Sequence, residues 1–151
     1  MKPGERLAEL GIALPSVAAP VAAYVPALQL GNQVWTSGQL PFVEGTLAGT
    51  GKVGDQVSPE QAQDLARTAA LNALAAAADA AGGLDRITRI LKVTVFVASA
   101  PSFTGQPAVA NGASELFGEI FGDAGQHVRS AVGVAVLPLD APVEIELVCE
   151  V

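Results

Sequence analysis

The chain has 151 residues, half of them apolar, with eight basic against fifteen acidic side chains and a formal net charge of −7. This is enough chain for one domain with a packed core and too apolar for a disordered segment, while the charge opposes any binding that rests on clustered Lys and Arg against a phosphate backbone. One cysteine, Cys149, excludes an intrachain disulfide, and one histidine, His127, without a CxxC or HExxH pattern excludes a conventional zinc site.

Met1 to Ala13 reads as a short amphipathic helix with Leu7, Leu10 and Ile12 apolar, and Pro15 to Pro20 as a connector. Lys2, Glu5, Arg6 and Glu9 do not make the positive start of a signal peptide, and two prolines break the apolar run from Ile12 to Val25. Tyr24 to Leu30 is extended and closes in the turn pair Gly31-Asn32. Gln33 to Leu40 is the next strand, ended by Pro41, and the glycine-rich stretch from Glu44 to Gly54 is a surface loop. Ser58-Pro59-Glu60-Gln61 is a strong helix start: Ser58 as N-cap, Pro59 in the first turn, Gln61 completing a capping box. The helix runs to about Ala81, where Gly82-Gly83 stops it, and Ala62, Leu65, Ala66, Ala69, Ala73, Ala76 and Ala77 form one small apolar stripe able to sit low on a sheet. Asp64, Arg67 and Asp79 interrupt this segment, so it does not span a bilayer. Ile90 to Val97 is a β-branched strand, and Ala108 to Phe121 a second helix with Leu116, Phe117, Ile120 and Phe121 facing inward. The order β–β–α–β–α–β–β implies an α/β domain whose sheet carries two helices on one face. The expectation is one domain over residues 1–151, with an amino-terminal arm over 1–20, in a soluble cytoplasmic protein that binds neither nucleic acid nor membrane.

The last quarter, Gln126 to Val151, reads as two strands joined over Leu137 to Pro142. In the first, Ser130, Val132, Val134 and Val136 alternate with His127, Arg129, Ala131, Gly133 and Ala135. The valine face suits the covered core. In the second, Val143, Ile145 and Leu147 alternate with Glu144 and Glu146, which places carboxylates off the core. A guanidinium on one strand and carboxylates on the next line a small polar pocket under one reading, and are simply a wet sheet face under the other.

Leu30-Gly31-Asn32, Thr36-Ser37-Gly38-Gln39-Leu40-Pro41, Lys92 to Val97, Arg129-Ser130 with Leu137-Pro138 after it, and Val143-Glu144-Ile145-Glu146 stand in one register along the chain. In these residues the sequence resembles the Rid/YjgF family, the reactive-intermediate enamine/imine deaminases, also labelled L-PSP endoribonucleases. The resemblance implies a chorismate-mutase-like α/β fold, a homotrimer with pockets between subunits, and a small carboxylate as ligand, with no metal or organic cofactor. By position, Arg129 corresponds to the carboxylate-binding arginine, Glu144 to the acidic residue that positions or activates water, Tyr24 to a pocket tyrosine, and Ser37 and Gly38 to the pocket wall. Asn111 resembles a pocket asparagine at one residue more than the usual spacing from Arg129. The implied activity is hydrolytic deamination of 2-aminoacrylate-type acids to 2-keto acids and ammonia.

Each residue also has a plain structural role open to it: Tyr24 closing the core, Ser37-Gly38 as a strand end, Asn111 and Glu146 as solvated side chains, His127 as incidental, Cys149 as a small buried apolar group. The same arginine suits a non-catalytic carboxylate-binding trimer, and the acidic charge argues against a ribonuclease. Ala131 stands where many relatives carry cysteine, and both the arm and the loop from Phe42 to Asp55 are longer than in short members. If Leu137 to Pro142 were a plain hairpin, Arg129 and Glu144 would lie roughly 20 Å apart in one chain and a second subunit would be needed to join them.

Overall fold

The computed structural model describes residues 1–20 and 23–151. Its elements are α1 (Pro3–Glu9), β1 (Ala27–Leu30), β2 (Gln33–Thr36), β3 (Phe42–Val43), β4 (Thr46–Leu47), α2 (Pro59–Ala81), β5 (Arg89–Ala98), α3 (Gln106–Phe121), β6 (Val128–Val134) and β7 (Val143–Glu150). Five strands form one sheet in the order β1-β2-β7-β5-β6, and β3 pairs with β4. Neighbours are antiparallel except β6, which runs parallel to β5. A parallel pair needs a crossover, and α3 supplies it. Helices α2 and α3 pack on each other and on the same sheet face. Among the described residues no helix is long and apolar enough to cross a membrane.

Local sequence explains the helix ends. Ser58 Oγ accepts from the Gln61 N–H at 3.1 Å and Gln61 Oε1 accepts from the Ser58 N–H at 3.0 Å, closing the capping box. Gly82, at φ 87°, takes the left-handed conformation that ends α2. Helix α3 begins at Gln106, ahead of the expected Ala108, because Pro107 falls in the first turn, where no amide hydrogen is required. The whole alanine stripe of α2 is buried, and all of it but Ala76 joins Val93, Val95, Val97, Val143, Ile145, Leu147, Leu116 and Phe117 in one core cluster. Buried Asn72 on α2 donates to the carbonyls of Leu40 (2.9 Å) and Phe42 (3.0 Å), tying the end of the β2 region to the helix.

Small side chains let α2 and α3 approach until Gly112 lies against the Gln63 backbone carbonyl, with no room for a Cβ. Gly112→Ala is therefore expected to force the helices apart and to lower stability by about 1–3 kcal/mol, read by denaturant unfolding.

Four expectations change. Leu137 to Pro142 is not a hairpin, because β5 lies between β6 and β7. The valine face of β6 is not the covered one: Arg129, Ala131 and Gly133 pair with buried Val93, Val95 and Val97, so they share the helix side, while Val128 and Val132 are exposed on the open side. The reason is steric, since a Cβ at Gly133 would run into Gln106 of α3, so the helix sits on the small-residue face. Strand β2 stops at Thr36, where the Ser37 amide turns to the Pro26 carbonyl (2.8 Å); pairing resumes only at Gln39 with Ile145. The stretch from Glu44 to Gly54 is more than a surface loop. Glu44 and Gly45, both at positive φ, form the tight turn between β3 and β4, and Val53 is fully buried with its amide on the Ala98 carbonyl.

Candidate functional site

The chemistry-bearing residues fall into two groups, one on each face of the sheet. On the helix side, Arg129 Nη1 donates to Asn111 Oδ1 (2.8 Å) and Ser114 Oγ (3.1 Å). Asn111 and Ser114 are three residues apart on α3 and so share a face. Ser114 Oγ lies 2.8 Å from His127 Nε2, and His127 Nδ1 lies 2.6 Å from the Gly125 carbonyl. Both Nη1 protons are thus committed, and among the described residues no acceptor takes the Nε–H or the Nη2 protons. That remaining edge carries two parallel donors, the geometry that holds a carboxylate. A cavity of about 350 Å³ opens here, lined by Ser114, Gly118, Gly122, Gly125, His127 and Arg129, among others.

On the open face, Glu144 pairs in register with Phe96, and Phe96 with Val132; Glu146 pairs with Thr94, and Thr94 with Ser130. The Glu144 carboxylate lies on the Cα of Gly38, where an alanine Cβ would overlap it. Burial first, and the neighbouring Glu146 charge second, raise the Glu144 pKa above its ordinary 4.5. A carboxylate so placed is a stronger base than a solvated one. Ser37, next to Gly38, donates its hydroxyl to the Pro26 carbonyl (3.2 Å) and accepts from Gln39 Nε2 (3.3 Å). Tyr24 is 45% exposed ahead of β1, so in the single chain it does not close the core.

The structure therefore brings Arg129 to Asn111, and Glu144 to Gly38, but it does not bring these groups together. Arg129 stands level with Leu147 of β7, three residues from Glu144, and two strands away, roughly 14 Å between Cα atoms. Their opposite faces separate them more firmly than that distance. Among the described residues the ion pairs are Arg6 with Glu9 and Arg67 with Glu119, so neither Arg129 nor Glu144 has a charged partner within the chain. Ser114 escaped the sequence reading, although its spacing from Asn111 was the available signal. Cys149 is buried in the core, and desolvation pushes its thiol up to about 12, which makes it inert at neutral pH. Among the described residues no group of three or more His, Cys, Asp or Glu side chains converges.

A family model described as "YjgF/chorismate mutase-like, putative endoribonuclease" matches residues 4–151. The chain belongs to this family. Protein TCP17 of Trypanosoma cruzi is 45% identical to this chain over 145 residues, covering 95% of this chain and 91% of that protein. The 2-iminobutanoate/2-iminopropanoate deaminase of Salmonella typhimurium is 34% identical over 137 residues, covering 91% and 94%. Among solved structures, the protein Atu1372 of unknown function from Agrobacterium tumefaciens superposes with a TM-score of 0.91 at 44% identity, covering 99% of this chain and 92% of that one. Escherichia coli TdcF with bound serine superposes at 0.66 and 29% identity, covering 92% and 95%. The YjgF/chorismate-mutase-like fold and the kinship with imine deaminases are thereby established.

Proposed function

We propose that this YjgF-family chain assembles as a homotrimer and hydrolyses small enamine/imine acids of the 2-aminoacrylate type to 2-keto acids and ammonia, at sites shared between neighbouring copies. The observation that carries this reading is the pair of unpartnered half-sites. A guanidinium edge with two free donors stands on one face, and a half-buried carboxylate with raised pKa stands on the other. An uncompensated charge held in a protein is costly, and a ligand or a second copy relieves it. The open sheet face also exposes Leu28, Trp35, Val128 and Val132 beside Glu144 and Phe96, an apolar surface of the kind that a neighbouring subunit covers. The relatives support the ligand class, since one is an imine deaminase and the TdcF structure holds an amino acid.

In the proposed reaction Arg129 holds the substrate carboxylate through its Nε and Nη2 protons. The enamine takes a proton from solvent at its terminal carbon and gives one up from its nitrogen, becoming the imine. Water adds its oxygen to the C=N carbon while Glu144 accepts a water proton and passes it to the nitrogen. Glu144 then carries the adduct's hydroxyl proton to the nitrogen as the C–N bond breaks, expelling ammonia and leaving the keto acid. Such imines hydrolyse unaided, so positioning together with one acid–base group suffices. Tyr24, Ser37 and Asn111 complete the pocket: Ser37 beside the water-handling carboxylate, Asn111 behind the guanidinium, and Tyr24 at the rim.

Mixing two inactive variants tests this reading. In trimers assembled from equal amounts of Arg129→Ala and Glu144→Gln chains, about a quarter of the shared sites regain both groups. Keto-acid release near a quarter of the wild-type rate is the expected result; no recovery in verified mixed trimers rejects the shared site. Gly38→Ala is a finer probe. Its Cβ displaces only the flexible end of Glu144, so Tm is expected to hold within a few degrees while kcat falls by about 10²-fold. A second reading, a trimer that binds small carboxylates without turning them over, draws on Ala131 and on the strong likeness to Atu1372, whose function is unknown. It predicts keto-acid binding with no turnover in the wild type.

A further inference from the structure

We infer that Ser114 and His127 are positioning residues for the carboxylate anchor, a relay that orients Arg129 without touching the substrate; the kinetic consequence rests on the deaminase reading above. The inference follows from counting protons. The Gly125 carbonyl can only accept, so the 2.6 Å contact requires His127 Nδ1 to carry a hydrogen. In the neutral ring Nε2 is then bare. Arg129 Nη1 can only donate, so Ser114 Oγ accepts from it across 3.1 Å. The single Ser114 hydroxyl proton is left to donate to His127 Nε2, 2.8 Å away. Donation therefore runs one way, from Arg129 through Ser114 and His127 into the backbone of Gly125.

Each link is held from outside. Phe117 is fully buried and meets the imidazole edge-on, ring centres 6.0 Å apart at 90°, which restricts rotation of the ring. Gly125 lies against the Phe117 carbonyl with no room for a Cβ, so the accepting carbonyl is locked to α3. Asn111 takes the other Nη1 proton. With both protons of one nitrogen directed into the protein, the guanidinium plane is set and its Nε–Nη2 edge is presented outward. Without His127, the Ser114 hydroxyl has no acceptor to hold its rotamer, and Arg129 is left with Asn111 alone on that nitrogen.

Two measurements test the relay, and the first does not depend on turnover. His127 is the one histidine in the chain, so its ring nitrogens give unambiguous signals in a long-range ¹H–¹⁵N spectrum. The expected wild-type spectrum, taken where the ring is neutral, is that of the Nδ1–H tautomer; the Nε2–H tautomer overturns the inference, whatever the activity. The second is kinetic. His127→Ala and Ser114→Ala are each expected to raise KM about tenfold with kcat changed less than about twofold, because the lost contact orients binding rather than chemistry. The two changes together should cost little more than either alone. His127→Gln, which can offer an amide oxygen near the Nε2 position, should recover most of the lost affinity. An unchanged KM in both alanine variants overturns the inference while wild-type turnover leaves the deaminase reading standing. If wild type shows no turnover, the deaminase reading falls and the dissociation constant for pyruvate replaces KM, with the same pattern expected; equal constants across the series, including no binding by any chain, overturn the relay.

Discussion

Glu144→Gln is expected to lower turnover of a 2-aminoacrylate-type acid by about 10²–10⁴-fold while leaving the binding of a small 2-keto acid largely intact. Glutamine keeps the shape against Gly38 and loses the ability to take a proton from water. The same carboxylate sets the pH profile. Burial and Glu146 raise its pKa above the ordinary 4.5, and the base must be ionised to work, so kcat should fall with acid along a limb that lies above that value. A limb at or below the ordinary carboxylate value would remove Glu144 as the base. Stability moves in the opposite sense. A folded pKa above the unfolded one means that the fold prefers the protonated side chain; that contribution is complete below the unfolded value and is lost as pH rises through the folded value. Glu144→Gln, neutral at every pH, should therefore melt a few degrees higher than wild type at about pH 8 and together with it near pH 4. A gain in stability alongside a loss of turnover is what a group retained for chemistry produces.

The second large effect is at Arg129. Arg129→Ala is expected to lower kcat/KM by about 10²–10⁴-fold, since two hydrogen bonds from a charged donor contribute about 1.5–3 kcal/mol each. Most of the loss should fall on KM. Arg129→Lys should not restore it: an ammonium reaching the same place cannot donate to Asn111 and Ser114 while offering two parallel protons to a carboxylate. Undiminished keto-acid production by Arg129→Ala in a coupled assay that generates 2-aminoacrylate rejects the residue as anchor. Of the two experiments, Glu144→Gln separates the two readings of the site, because both depend on Arg129 while a carboxylate-binding trimer is indifferent to Glu144.

Much of this architecture is legible in the chain because its signals are local. Ser58 to Gln61 starts α2 through hydrogen bonds that span three residues, and Gly82 ends it by a conformation that glycine reaches freely. The stripe Ala62, Leu65, Ala66, Ala69, Ala73 and the β-branched run in β5 declare their buried faces by periodicity alone. The candidate residues were picked out through motif register, and of these Gly38 and Glu144, far apart in the chain, meet in the fold.

What the sequence determined by itself was thus the helix ends, the strands with their period, and the set of residues able to do chemistry. Only the tertiary structure decided which face of β6 is covered. Alternation shows that two faces exist, and α3 chose the one with Ala131 and Gly133 because small side chains permit close approach. It also inserted β5 between β6 and β7, a pairing that depends on the path of a crossover helix rather than on the residues of the connection. Covering that small-residue face puts Arg129 on the helix side of the sheet, opposite Glu144, and the crossover helix brings Ser114, with His127 beside it, behind the guanidinium, contacts between segments far enough apart in sequence that no local pattern encodes them.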